Sequence, residues 1–224
     1  MSYRRIIPIY LLAMKDVARF VSYIFHPLFF PTYGTLLIVG LNPNMFGPFR
    51  DKVHFAWLII IIALTIVFPL VWILMMRGLQ MIDSLQLRTS KERIIPFVAT
   101  ATFYLWATWM FKPTVTMKIP PNLLIFYMML GACFAIFEAF VINVFAKVSL
   151  HTLAAGSLTG LTLILIRYST FDLRLMFVGV ILMAGVIGTA RLMLKAHTDK
   201  EVALGYVAGF TAQFISFSIA PHFF

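Results

Sequence analysis

The fold class is decided by the stretch FAWLIIIIALTIVFPLVWILMM, residues 55–76, which carries no charged side chain. As a helix rising 1.5 Å per residue it is about 33 Å long, enough to cross the hydrocarbon core of a bilayer. Five further segments approach its length and also lack charge; they are residues 94–111, 119–137, 148–166, 175–190 and 202–224. The sequence therefore predicts an all-α integral membrane protein with six spanning helices.

A less regular segment, residues 20–41, precedes these helices. Pro27 and Pro31 interrupt it within HPLFFPTYG, and proline removes a backbone donor from a helix. A proline-broken first span and a re-entrant segment both fit this pattern, and the first residues of the chain are expected along the membrane surface. Because no repeat or long polar linker divides the chain, residues 1–224 are predicted to form one domain, with an N-terminal part at 1–54 and a core at 55–224.

The composition agrees with a membrane protein and narrows its partners. Hydrophobic residues make up 62% of the chain and charged residues 12%, about half the charged fraction of soluble proteins. A single cysteine excludes an internal disulfide framework and a cysteine metal cage. The net charge of +10 comes from basic residues between apolar runs, at the level of lipid headgroups. We therefore expect phosphate-bearing lipids, and not nucleic acid, as partners.

Polar chemistry is concentrated in three clusters, residues 88–96, 147–151 and 191–201. Each cluster is separated from the next by a pair of apolar helices, and a helical hairpin returns the chain to the side it left. All three clusters are therefore predicted on the same membrane face. The remaining basic residues are nearly balanced between the two faces, so they do not decide which face this is. The predicted location is the bacterial cytoplasmic membrane.

The third cluster has the most specific spacing. Arg191 is followed after five residues by His197, and His197 is followed after three residues by Glu201. Arginine matches phosphate oxygens, neutral imidazole can attack phosphorus, and a carboxylate on the other ring nitrogen fixes the tautomer. The alternative is structural: Thr198 and Glu201 form a helix capping box, and the basic side chains reach the headgroups.

The other two clusters carry weaker patterns. Ser149 and His151 place a hydroxyl and an imidazole at the start of a helix, where free N–H groups favour an anion; a simple cap beside an interfacial histidine is the alternative. Lys91 and Arg93 directly precede the predicted helix at 94–111, and their side chains could bind phosphate oxygens. Basic loops beside membranes are also common without any such role.

Together the clusters resemble the type 2 phosphatidic acid phosphatases, which share a catalytic core with bacterial acid phosphatases and vanadium haloperoxidases. The third motif of that family reads Ser-Arg, five residues, His, three residues, Asp. Here Arg191 and His197 match it, with Ala190 at the serine and Glu201 at the aspartate. The resemblance covers about the last two thirds of the chain and implies an acid-phosphatase and haloperoxidase-like core.

The other two family motifs are more diverged. The second, Pro-Ser-Gly-His, is met by VSLH at residues 148–151, with Val148 and Leu150 at the proline and glycine. The first, Lys, six residues, Arg-Pro, is met loosely by Lys91, Arg93 and Pro96.

The resemblance implies a membrane lipid phosphatase that hydrolyses a terminal phosphate without metal or cofactor. His197 is the implied nucleophile, His151 the general acid and Glu201 the orienting acid, with Asp199 as a substitute. The implied phosphate-binding residues are Arg191, Ser149, Arg93 and Lys91. The substrate is a lipid phosphate of undetermined identity, and the oligomeric state is open.

Two other functions remain alternatives. The eroded second motif fits a catalytically degenerate member that binds or moves anionic lipids, or scaffolds membrane partners. A small transporter would carry an inverted repeat and polar residues at mid-membrane, to which only Glu138 and Gln213 point. Gln213 also suits a hydrogen bond between helices.

Overall fold

The computed structural model describes residues 3–41, 52–82, 90–112, 123–169 and 171–219, and within these ranges it contains helices and no strand. The α-helices in chain order are α1 Tyr3–Ile24, α2 Phe30–Leu41, α3 Lys52–Ile62, α4 Phe68–Gly78, α5 Ser90–Met110, α6 Leu123–Phe145, α7 Leu150–Tyr168, α8 Arg174–Met193 and α9 Asp199–Ile219. A 3-10 turn, Pro27–Phe29, precedes α2, and a π-helical turn, Ala63–Val67, joins α3 to α4.

Six described stretches are long and apolar enough to cross a membrane. They are Leu12–Leu41, Phe55–Gly78, Leu123–Phe145, Leu150–Tyr168, Arg174–Met193 and Asp199–Ile219. This confirms the helical membrane class, but the six are not the six predicted. The proline-broken segment qualifies, whereas α5, which ends one residue short of the end of the predicted span 94–111, does not. The charged residues of its first turn, Lys91 to Arg93, lower the mean hydropathy of α5.

The prolines interrupt the first span where the sequence predicts. After α1 ends at Ile24, the His26 imidazole accepts a hydrogen bond from the Leu28 amide at 3.4 Å and begins the 3-10 turn at Pro27. Pro69 has a comparable effect at the start of α4. Because Pro69 has no N–H to donate to the preceding turn, the chain widens there into the π-helical turn.

The backbones of α7 and α9 lie closer together than the hydrophobic pattern of either helix predicts. Both helices carry Gly-x-x-x-Gly at the crossing, which are Gly156 and Gly160 in α7 and Gly205 and Gly209 in α9. A Cβ atom at Gly209 would overlap the Leu153 carbonyl, and one at Gly205 would lie 2.5 Å from the Ser149 carbonyl oxygen. Small residues at these points let the backbones touch, as at many membrane helix crossings.

The α6 helix packs against α9, and residues of both helices belong to the hydrophobic core. The predicted interhelical role of Gln213 is confirmed: this fully buried side chain donates to the Met128 carbonyl at 3.4 Å. Ser216 adds a second bond from α9 to the Tyr127 carbonyl. Both α7 and α6 therefore fix α9 along its length, and the start of α9 is where the third polar cluster lies.

Candidate functional site

His197 lies in the short connection between α8 and α9. Lys195 follows the end of α8 with a φ of 52°, in the left-handed region, and the Ala196 amide donates back to the Arg191 carbonyl at 3.1 Å. This tight reversal turns the next residues toward the first turn of α9. The His197 Nδ1 atom then lies 2.7 Å from Glu201 Oε2, with side chains 5% and 20% exposed.

This geometry sets the protonation of the imidazole. A carboxylate 2.7 Å from Nδ1 accepts the proton carried there, so Nε2 presents its lone pair. Burial lowers the pKa of His197, the hydrogen bond to Glu201 opposes that shift, and the charges of Lys147 and Arg191 add to it; the resulting pKa is about 4. His197 is therefore neutral at pH 7, which is the form that can act as a nucleophile.

The structure shows the hydrogen bond between His197 and Glu201 and one half of the alternative capping box. Its amide donates to the Thr198 hydroxyl oxygen at 3.4 Å, so Thr198 caps α9. Its carboxylate, however, is directed to His197, where a full capping box would direct it back to the cap. Asp199, the possible substitute, is exposed in the first turn of α9.

The second cluster joins the third through backbone contacts. Ser149 is the N-cap of α7: its hydroxyl oxygen accepts from the Thr152 amide at 3.4 Å, and its own amide donates to the Glu201 carbonyl at 3.3 Å. Lys147 donates to the Ala196 carbonyl at 3.0 Å. Leu150, at the family's glycine, begins α7 with no positive φ, so the backbone there does not require glycine.

The first cluster reaches the same place through Arg93. This arginine, 8% exposed, donates to the Val148 carbonyl at 3.2 Å and lies within electrostatic range of Glu201. The Lys91 side chain falls outside the described residues. The prediction that the three clusters share one face is confirmed by the contacts of Arg93, Ser149 and Lys147.

Arg191 and His151 meet at a residue that the sequence did not single out. Ser22, near the end of α1, accepts from Arg191 Nη1 through its hydroxyl at 3.1 Å, and its carbonyl lies 3.1 Å from His151 Nε2. Since a carbonyl only accepts, His151 Nε2 carries the proton of that bond. The Arg191 Nε atom is buried and has no hydrogen-bond partner among the described residues. A buried guanidinium N–H that has no protein acceptor is suited to donate to an anion.

His26 was also missed, because nothing in its spacing connects it to the three clusters. Its ring packs edge-on against His151 with centroids 5.5 Å apart. The proline break in HPLFFP was the available signal, since a broken span lets a loop approach a site. Glu138 takes no part: it accepts from Thr211 at 3.5 Å, and Thr211 is about 15 Å along α9 from Glu201.

The chain matches no family model, no curated protein and no solved structure. The site combines a buried histidine–carboxylate pair with Arg93, Lys147 and Arg191, and it places a second histidine, His151, beside them.

Proposed function

We propose that this protein is a membrane lipid phosphatase of the type 2 phosphatidic acid phosphatase kind, acting through a phosphohistidine. One observation carries the proposal: the buried His197 is paired with Glu201 at 2.7 Å, close to Arg191, Lys147 and Arg93. A nucleophile, its orienting acid and phosphate-neutralising cations are the parts that phosphoryl transfer needs. No step of the proposed reaction requires a metal ion.

In the first step, His197 Nε2 attacks phosphorus and a P–N bond forms as the P–O bond to the lipid breaks. His151, in its protonated form, gives a proton to the departing oxygen. Glu201 stabilises the imidazolium character that develops on His197. Arg191 and Arg93 stabilise charge on the phosphoryl oxygens, where removing one such donor costs enzymes about 100- to 1,000-fold in rate.

In the second step, water attacks the phosphohistidine. His151, now neutral, takes a proton from that water, the P–N bond breaks, and inorganic phosphate leaves. The lone pair returns to His197 Nε2, and both histidines regain their starting states. His197 and His151 therefore have separate roles, which single substitutions distinguish.

The substrate is proposed to be a lipid with a terminal phosphate, or a lipid diphosphate. A polar site reached from apolar helices suits a phosphate at headgroup level with a hydrocarbon anchor. Phosphatidic acid, phosphatidylglycerophosphate, an inositol lipid phosphate, undecaprenyl diphosphate and a lipid A phosphate share that chemistry. The bacterial cytoplasmic membrane is the proposed location.

Phosphate release by the purified protein in detergent tests this function. With EDTA present, the wild type is expected to release phosphate from at least one of these lipids, and His197→Gln is expected to release none. Thr198→Ser, which keeps the cap of α9, serves as the folded control. Turnover retained in His197→Gln overturns the nucleophile assignment.

A second function is favoured by the contact between Ser22 and His151. With the Ser22 carbonyl on His151 Nε2, the proposed general acid is engaged by α1, and the Ser22 hydroxyl engages Arg191 as well. A degenerate protein that binds or moves anionic lipids without hydrolysis would keep the cations and need no free acid. Vanadate or phosphatidic acid binding without phosphate release from any substrate would select this function.

A further inference from the structure

An apolar groove of about 510 Å³ lies between α1 and α8. One wall is formed by α1 from Ala13 to Val21 and the other by α8 from Leu182 to Met193, with Thr189 as its one polar side chain. The volume falls within the range of ligand-binding clefts, about 300–1,000 Å³. Along α8 the groove extends for about 16 Å at 1.5 Å per residue.

Small residues create this space. Ala18 and Ala190 face the groove, and Gly185 also lines it. A Cβ atom built on Gly185 would meet no atom within 4 Å, in contrast to the glycines of the α7–α9 crossing. The groove is thus a space that a larger side chain at Gly185 could fill without displacing the backbone.

The groove is continuous with the polar site. Val21 and Ala190 line it, and the residues that follow them are Ser22 and Arg191, which hydrogen-bond to each other at 3.1 Å. The buried Arg191 Nε, which lacks a partner among the described residues, belongs to the same guanidinium. A molecule with an anionic head at Arg191 and an apolar chain fits both surfaces at once.

We propose that the α1–α8 groove binds an aliphatic chain of the lipid whose phosphate occupies the site at Arg191 and His197. This proposal rests on the phosphatase function proposed above and assigns a binding place to the lipid chain, which water-soluble phosphate esters lack. Because the membrane is as apolar as the groove, the chain gains little by transfer alone. Its contribution is to hold the phosphate in line with His197.

Matched glycine substitutions on α8 test this site. Gly185→Leu fills the groove, whereas Gly179→Leu adds the same side chain on the same helix, also in open space but outside the groove lining. We expect Gly185→Leu to lower kcat/KM for dipalmitoyl phosphatidic acid about tenfold or more and to leave p-nitrophenyl phosphate hydrolysis unchanged. Gly179→Leu is expected to change neither. Equal losses on both substrates, or no loss, would overturn the groove site.

A second measurement separates the groove from catalysis. Phosphatidic acid with a diazirine in its chain is photolysed with the protein, and the labelled residues are located by mass spectrometry. Labelling is expected along α1 and α8, weaker in Gly185→Leu, and weaker with phosphatidylcholine that carries the same chain. Such labelling without any turnover would keep the groove and reject the phosphatase. Equal labelling by phosphatidylcholine would reject the groove as a site for lipid phosphates.

Discussion

The α7–α9 and α1–α8 helix pairs meet at one site but are packed in opposite ways. At the α7–α9 crossing, glycines bring backbone against backbone, so an added Cβ would overlap a carbonyl. Between α1 and α8 the side chains leave a groove of about 510 Å³. The tight pair carries Ser149, Glu201 and the connection to His197, while the loose pair carries Ser22 and Arg191.

The difference separates two requirements of phosphoryl transfer. A nucleophile and its orienting acid need fixed geometry, and close backbone contact provides it. A lipid must enter and leave, and a loosely packed pair can open at small cost in buried contacts. Changes in the tight pair should therefore damage folding and chemistry together, whereas changes in the loose pair should alter substrate choice.

The largest effect is expected at Gly209. In Gly209→Ala the new methyl overlaps the Leu153 carbonyl, and two backbones joined by many contacts cannot separate locally. We expect a loss of about 3 kcal/mol or more in unfolding free energy, above the usual range for overpacking. Thermal unfolding in detergent measures it. Gly179→Ala, where the methyl meets no atom within 4 Å, is expected to be neutral or stabilising. Equal stability of the two variants would contradict close α7–α9 packing.

Glu201→Gln tests the chemistry of the tight pair with a smaller expected loss of stability than Gly209→Ala. Glutamine keeps the hydrogen bond that the backbone amide of residue 201 donates to the Thr198 hydroxyl, but it removes the carboxylate at His197 Nδ1. We expect kcat to fall about 10- to 100-fold with a Tm close to that of the wild type. Asp199→Asn, which removes an exposed carboxylate in the same turn, is the control. Unchanged kcat in Glu201→Gln would restrict Glu201 to its backbone role in the cap.

Much of this arrangement could be predicted from the sequence, because it depends on periodicity and spacing. The length of the apolar segments identified the helical membrane class. Because two helices separate each polar cluster from the next, the sequence also predicted Arg93, Ser149 and His197 on one face. The span at 94–111 stays a prediction, since the charged start of α5 and its polar residues make hydropathy alone inconclusive. The spacing of His197 and Glu201 anticipated their hydrogen bond, although spacing alone could not decide between the cap and the imidazole.

The residues that the sequence missed act through tertiary contacts without a local pattern. Ser22 reaches Arg191 across 169 positions, and no motif marks a serine near the end of an amphipathic helix. The position of His26 beside His151 follows from the turn at the proline break, and the sequence does not predict the direction of that turn. The Gly-x-x-x-Gly pairs of α7 and α9 were readable, but their partner is defined only once the bundle is assembled.

The neutral state of His197 predicts a dependence of stability on pH. In the unfolded chain its pKa returns to the ordinary value of 6.5, whereas in the fold it is about 4. Between these values the unfolded state binds the proton and the folded state does not, so stability falls as pH decreases. The loss for this group is about 1.4 kcal/mol per pH unit. Thermal unfolding between pH 7 and 5 should show a steeper decline in the wild type than in His197→Gln. Parallel curves would mean that His197 is not buried in neutral form.

The smallest effect is expected at Lys195, the residue that joins the loose helix α8 to the tight helix α9. Its φ of 52° is costly for a side chain with a Cβ, and Lys195→Gly should relieve that cost and stabilise the protein by about 0.5–1 kcal/mol, after glycine's entropy in the unfolded chain is subtracted. Gln80→Gly is the matched control, since Gln80 has a φ of 59° at the end of α4, outside the site. Equal gains in Tm with unchanged kcat in both variants would assign Lys195 a purely conformational role. A fall in kcat in Lys195→Gly alone would mean that Lys195 contributes to the site beyond its backbone conformation, because the two changes relieve the same φ and only one of them lies beside His197.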